Sequence, residues 1–314
     1  MGTPALWIIF NSAVLVLLAL DLGVLNRRAH EVSMRQAAAW SVFWVSISIA
    51  FNFWILHTQG RETALQFSAG YLIEQSLSLD NIFIFILVFR SFGVERRYQH
   101  RVLFWGILGA LVLRGTMIGL GTALIRKFEW ALYILAAFLV IAAIRMLLRK
   151  ETEPHPERSS LLRWTQKIFP VSHNYHGQSF WIREAGKLMA TPLLLVLLVI
   201  ETTDFVFALD SIPAVFGVSR DPFIVYSSNI CAILGLRAFY FLLAGVLPYF
   251  RYLDEGLSVV LLFVGVKMLV AHWIQVPTGL ALGIIAGILT ISIIASIIAT
   301  QIEKRGNQFK PGEK

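Results

Sequence analysis

Nine apolar runs dominate this chain, at roughly 5–25, 38–57, 66–89, 102–125, 130–149, 190–216, 223–247, 257–274 and 277–300. Each is long enough to cross the hydrocarbon core of a bilayer, which takes about 20 residues as a helix. No water is available there to satisfy a lone backbone group, so such a run must close its hydrogen bonds within itself as a helix. The expected fold class is therefore an all-α polytopic membrane protein with nine transmembrane helices. Charged residues make up only 15% of the chain, against about 25% in a typical soluble domain. The N-terminal MGTPALWIIF has no basic stretch ahead of its apolar run. A cleaved signal peptide is not expected, and the first run reads as a retained span.

The net charge of +8 belongs to topology. Nineteen Lys and Arg fall in loops one, three, five and seven and the C-terminal tail, and four (Arg61, Arg126, Lys127 and Arg220) in the loops on the other side. The positive-inside bias then predicts an outside N-terminus and a cytoplasmic C-terminus. Basic residues spent on loops leave no case for nucleic acid as a partner. The longest loop, 150–189, holds SSLLRWTQKIF, with Ser159 or Ser160 as N-cap and Leu161, Trp164 and Ile168 at helical spacing. A short helix lying on the membrane surface is expected there, after a flexible ETEPHPERSS linker. Residues 301–314 read as a cytoplasmic tail, and the whole chain as one transmembrane domain. The single cysteine, Cys231, allows no internal disulfide and no Cys-based metal site.

Two of the spans carry acids. Residues 72–86 read LIEQSLSLDNIFIFI and 199–216 read VIETTDFVFALDSIPAVF. Aligning Glu74 with Asp204 places Asp80 on Asp210 and Ile82 on Ile212. Downstream, ILG (107–109) precedes Arg114 and ILG (233–235) precedes Arg237, while IRML (144–147) matches VKML (266–269) around Arg145 and Lys267. The units are 66–149 and 190–274, three spans each, so the second copy starts from the opposite side. That is an inverted-topology repeat, an architecture that puts transporter sites near the midplane between the repeats.

Five carboxylates, Glu74, Asp80, Glu201, Asp204 and Asp210, lie inside predicted spans. An ionised carboxylate at a helix centre costs about 2.5–3.5 kcal/mol on insertion scales. Salt bridges, protonation or a bound cation each relieve that cost. Arg114, Arg145, Arg237 and Lys267 also lie within spans and are available as partners. At 100° per residue Glu201 and Asp204 share a helix face and Asp210 does not. Pro213 removes a backbone bond to Leu209, so a kinked or unwound segment is expected in spans three and six. Freed carbonyls would then join the carboxylates, Asn81 and Ser211. Carboxylate, amide, hydroxyl and carbonyl oxygens suit Mg²⁺, Ca²⁺ or Mn²⁺. The histidines (30, 57, 100, 155, 173, 176 and 272) fall in loops or at span ends, which argues against zinc or copper(I). Asp21, near the end of span one, is left outside the site. No nucleophile–base motif or phosphate-binding loop is recognisable, so no enzyme activity and no bound cofactor are expected.

GYLIEQSLSLDNIF (70–83), VIETTDFVFALDSIPAVF (199–216) and SNICAILGLRAFYFLLAG (228–245) resemble the TerC family of integral membrane proteins, and within it the alkaline-inducible branch of manganese exporters. The resemblance runs from the first span to the last. It implies metal-ion efflux with Mn²⁺ as transported substrate. It also implies a bacterial inner-membrane location, and a site on Glu74 and Asp80 from the first motif and Glu201, Asp204 and Asp210 from the second. Arg114, Arg237 and Lys267 are expected as supporting charge partners. Two other readings stay open: oxyanion handling through Arg114 and Arg237, after the family's link to tellurite resistance, and a role in membrane-protein assembly. Oligomeric state is not readable from the residues.

Overall fold

Apolar helices that must bury their polar residues pack those residues inward, and this determines which helix takes the centre. The structure is a computed structural model. It describes the backbone of residues 3–20, 33–128, 130–148, 171–172, 175, 177–184, 187–244, 252–271, 273–274 and 276–308. Among these residues nine helices are defined: α1 Pro4–Leu20, α2 Met34–Gln59, α3 Arg61–Ser91, α4 Arg96–Lys127, α5 Ala131–Leu148, α6 Pro192–Phe216, α7 Pro222–Leu243, α8 Leu253–Val270 and α9 Thr278–Gln308. Helix is the only long element, as an all-α membrane protein requires. Six of the helices, α2, α4, α5, α6, α7 and α9, are long and apolar enough to cross a membrane, and α1 is a shorter apolar helix. α3 has the length, 31 residues, but its apolar run is broken by Glu74, Gln75, Asp80 and Asn81. α8 has 18 residues and holds Asp254, Glu255 and Lys267.

The helix ends follow local chemistry. Ser33 caps α2 by accepting a hydrogen bond from the Gln36 backbone N–H, and Asp221 caps α7 by accepting from Phe223, with Pro222 in the first turn. A single residue, Gly60, separates α2 from α3 at φ 91°, a left-handed conformation that glycine adopts without a Cβ penalty.

α7 is the central helix. α2, α3, α4 and α1 pack around it, and its residues from Phe223 to Ala238 are buried almost without interruption. A helix that carries Ser227, Ser228, Asn229 and Arg237 among apolar residues on all its faces calls for such a position. α3 and α4 each pack on α6 and α7, α5 packs along α8, and α9 covers α3 and α8. Serine hydroxyls inside the bundle return bonds to the carbonyl four residues back, as Ser41 does to Ala37 and Ser48 to Trp44, so they carry no unmet polarity into the membrane.

Two expectations need correction. α3 and α6 are helical throughout, with no unwound segment. Pro213 lies three residues before Phe216, the last residue of α6, where its missing N–H removes one bond of the last turn rather than breaking the span. The long loop also holds structure that no sequence pattern suggested: an antiparallel hairpin of β1 Trp181–Glu184 and β2 Lys187–Ala190, with Trp181 opposite Ala190. It is pinned by Thr191 Oγ1 donating to the Ser179 carbonyl at 2.7 Å and by Tyr175 Oη donating to the Phe92 carbonyl at 2.6 Å. The surface helix expected around 161–168, and Asp21, fall outside the described residues.

Candidate functional site

One guanidinium gathers the polar residues of four helices. Arg114 of α4 is 1% exposed and Glu74 of α3 is 0% exposed. Arg114 Nη1 bonds Glu74 Oε1 directly, and donates to Ser211 Oγ of α6 at 3.0 Å and Asn229 Oδ1 of α7 at 3.1 Å. Arg114 Nη2 reaches Asp204 Oδ1 of α6 at 3.4 Å. Asn229 Nδ2 donates to Glu74 Oε2 at 2.8 Å, and Asn81 Nδ2 of α3 donates to Asp204 Oδ1 at 3.1 Å. Ser211, Asn229 and Asn81 are all buried.

Helix periodicity explains the convergence. Glu74, Ser78 and Asn81 are spaced four and three apart and share one face of α3. Asp204 and Ser211 are seven apart on α6, two turns along one face. Two carboxylates meet one guanidinium here, so with both acids ionised the cluster keeps one negative charge. It also keeps unused oxygens. Asp204 Oδ2, Asn81 Oδ1 and Ser78 Oγ are buried without a hydrogen-bond partner, as are both polar atoms of Gln75. In a membrane each such atom calls for water or an ion. All of them are hard oxygen donors except the Gln75 amide nitrogen; the Nε–H of Arg114 is likewise buried without a partner and calls for an acceptor such as water.

The other site residues fall elsewhere. Glu201 of α6 is half-buried, and a Cβ added at Gly109 of α4 would overlap its carboxylate. The glycine of the first ILG motif thus makes room for an acid. Gly109→Val is expected to lower the thermal midpoint of the detergent-solubilised protein by the equivalent of up to about 1 kcal/mol, the low end of the overpacking range, because what must move is the end of the flexible Glu201 side chain. Glu201→Ala in the same chain should recover most of it.

Arg237 does not join the Arg114 cluster. It lines a separate small cavity with Gln36, Trp40, Trp44 and His100, eight residues beyond Asn229 on α7. Lys267 Nζ donates to the Gly217 carbonyl at 3.5 Å, just past the end of α6. Arg145 is exposed near the end of α5. The side chains of Asp80 and Asp210 fall outside the described residues. Among the described residues no group of three or more His, Cys, Asp or Glu is arranged to hold a metal ion. The residue that the acid motifs did not single out is Asn229. Its signal was present as the polar triplet Ser227–Ser228–Asn229 in a span whose one charged residue is Arg237.

Comparison with known proteins gives one family. The model of the integral membrane protein TerC family matches residues 59–304. An "Uncharacterized membrane protein STKORF319" of Myxococcus xanthus is 47% identical over 300 residues, covering 96% of this chain and 94% of that one. The "Putative membrane-bound redox modulator Alx" of Salmonella typhi is 47% identical and that of Escherichia coli K12 46% identical. Each aligns over 302 residues, 93% of this chain and 94% of its own. No solved structure matches the chain.

Proposed function

The chain belongs to the TerC family of integral membrane proteins, and from that premise we propose that it is a secondary transporter exporting Mn²⁺ from the cytoplasm. The observation that carries this reading is the buried cluster at Arg114: two carboxylates against one guanidinium, bordered by hard oxygens that lack a partner. A hard divalent cation supplies what those oxygens lack. The choice of manganese rests on the family resemblance.

In this reading the nine helices all cross the bacterial inner membrane, with the N-terminus periplasmic and the C-terminus cytoplasmic. α3–α5 and α6–α8 form the inverted repeat. Support comes from the packing of α3 on α6, α4 on α7 and α5 on α8, which sets each helix against its counterpart, as a pseudo-two-fold axis requires. Glu74, Asp80, Asn81, Glu201, Asp204, Asp210 and Ser211 line the route. Arg114 acts as a tethered cation that offsets one of the two negative charges of Glu74 and Asp204 between transport events. No ATP-binding motif is recognisable, so export is driven by proton antiport, a carboxyl group taking up a proton as the metal leaves. Mn²⁺ uptake into inverted vesicles that ignored an imposed pH gradient would sink the coupling. The redox role in the relatives' printed name finds no thiol pair here, because Cys231 is the single cysteine of the chain.

The test is cellular manganese under Mn²⁺ challenge in an exporter-deficient host carrying empty vector, wild type or Asp80→Asn/Asp210→Asn, with membrane levels matched. Wild type is expected to lower manganese and the double variant to match empty vector. Equal lowering by both would assign the acids to structure. No lowering by either would remove manganese export and favour the oxyanion or assembly roles.

A further inference from the structure

We propose that the β1–β2 hairpin is a lipid anchor: Trp181 and Leu188 sit in the headgroup layer where α6 enters the membrane, and Arg183 pairs with the phosphate of an anionic phospholipid. The inference needs α6 to cross the membrane and is independent of what the protein transports. In the orientation proposed above, the leaflet is the cytoplasmic one. Strand alternation makes the face. Successive residues of a strand point to opposite sides, and directly paired residues to the same side. The register of Trp181 with Ala190, Ile182 with Met189 and Arg183 with Leu188 therefore puts Trp181, Arg183 and Leu188 on one face and Ile182 and Met189 on the other. A hairpin on a water-facing surface has one apolar face and one polar face. Here both carry apolar side chains. Ile182 and Met189 are partly buried. Leu188 is 56% exposed, and Trp181, which makes a further contact of its own, is 41% exposed. Arg183, opposite Leu188, is exposed as well.

Position along the chain selects lipid as the occupant. β2 ends at Ala190 and α6 starts at Pro192, and the Thr191 N–H donates to the Phe180 carbonyl at 3.0 Å. Trp181 thus stands beside the entry of α6, whose apolar run PLLLVLLVI follows at once. Tryptophan is favoured at that depth because its ring is apolar and its N–H is not. The hairpin is fixed there at its base. The Arg101 guanidinium of α4 lies 5.2 Å from the centre of the Phe180 ring, and the Ser172 N–H donates to the Ala190 carbonyl at 2.9 Å. Charge then selects an anionic headgroup. Arg90 at the end of α3 and Arg96 and Arg97 at the start of α4 are exposed at the same end of the bundle. Arg97 is paired with Glu95 at 2.6 Å; Arg90, Arg96 and Arg183 leave that end positive. Basic residues beside a bilayer draw anionic lipid, and a guanidinium meets a phosphate in two parallel bonds. Thr191 is the one residue between β2 and α6, so a lipid grip on the hairpin also sets the depth of the helix that brings Asp204 and Ser211 to Arg114.

The experiment reads depth and lipid identity, with no transport needed. In a Cys231→Ser background, Leu188→Cys carries a nitrobenzoxadiazole fluorophore, with Glu95→Cys as the water-exposed control at the same end, and the full chain is reconstituted in phosphatidylcholine bilayers. The fluorophore of Leu188→Cys is expected to be quenched by spin-labelled acyl chains and shielded from iodide, and that of Glu95→Cys to show the reverse. Spin-labelled phosphatidylglycerol should act on Leu188→Cys as if about fivefold more concentrated than spin-labelled phosphatidylcholine at the same mole fraction, the enrichment expected of one basic residue at a bilayer surface. Arg183→Gln should remove most of that preference and leave the depth unchanged. Iodide quenching of Leu188→Cys without acyl-chain quenching would put the hairpin in water and overturn the proposal. Shielding from both quenchers would mean that protein covers the face, and would overturn lipid as its occupant. Equal quenching by the two lipids, or a preference that Arg183→Gln does not move, would overturn the anionic contact. Loss of the export reading is instead seen in cellular manganese, independently of any quenching ratio.

Discussion

Arg114→Leu is expected to destabilise the protein more than any surface change, by the equivalent of about 3–5 kcal/mol. Glu74 and Asp204 would be left buried, charged and uncompensated, and Ser211 and Asn229 would lose their shared donor. The thermal midpoint of the solubilised protein, followed by fluorescence-detected size exclusion, should fall accordingly. The triple variant Arg114→Leu/Glu74→Gln/Asp204→Asn removes all three charges and should regain most of the midpoint. It should still fail to lower cellular manganese. That split between a folded chain and a silent one would separate a structural use of the cluster from the transport use proposed for it. An unchanged midpoint in Arg114→Leu would mean that the guanidinium does not hold these helices together.

The same cluster shows how far the sequence could be read. Glu74 and Asp204 were visible because a carboxylate in an apolar run is conspicuous, and Arg114 because it is basic within a span. Which base meets which acid was not visible. Arg114, Arg237 and Lys267 look equivalent along the chain, yet they lie in the middle and toward opposite ends of the bundle. That depends on the depth each reaches along its own helix and on what faces it there. The amide of Asn229 escaped notice because an asparagine in a span has several bland uses. Its bridging role needs two other helices to exist. Helix positions were legible from apolar length, though only six of the nine described helices are long and apolar enough to cross a membrane. Helix ends were not, since α3, α4 and α9 continue beyond the apolar runs, where helix propensity and caps decide. The β1–β2 hairpin escaped for a related reason. Four-residue strands carry too little periodicity, and they are held by Thr191 and neighbouring backbone.

Gly265→Leu is the second large effect expected. On α8, a Cβ at Gly265 would lie 2.9 Å from Val140 Cγ2 and 3.1 Å from the Ala136 carbonyl oxygen and Leu139 Cβ. Part of that obstruction is the α5 backbone, which no rotamer change can move. Small residues at such crossings are what let membrane helices approach, because van der Waals packing is the main attraction available between them. Ala136, Leu139 and Ala143 are fully buried on α5. Leucine should force α5 and α8 apart and cost at least the usual overpacking range of about 1–3 kcal/mol. Gly265→Ala should show a smaller loss in the same melting measurement. A leucine variant with wild-type midpoint would mean that the two helices do not pack this closely.

The unequal helices have a consequence for the lipid around them. α4 has 32 residues and α8 has 18, so at 1.5 Å per residue they are about 48 Å and 27 Å long. The hydrocarbon layer is about 30 Å thick. If both cross, as the export reading has it, α4 must tilt or protrude while α8 meets the layer with no length to spare. Hydrophobic mismatch costs fractions of a kcal/mol per ångström. Under the proposed nine-span arrangement the bundle would therefore suit a bilayer that is thinner beside α8 than beside α4.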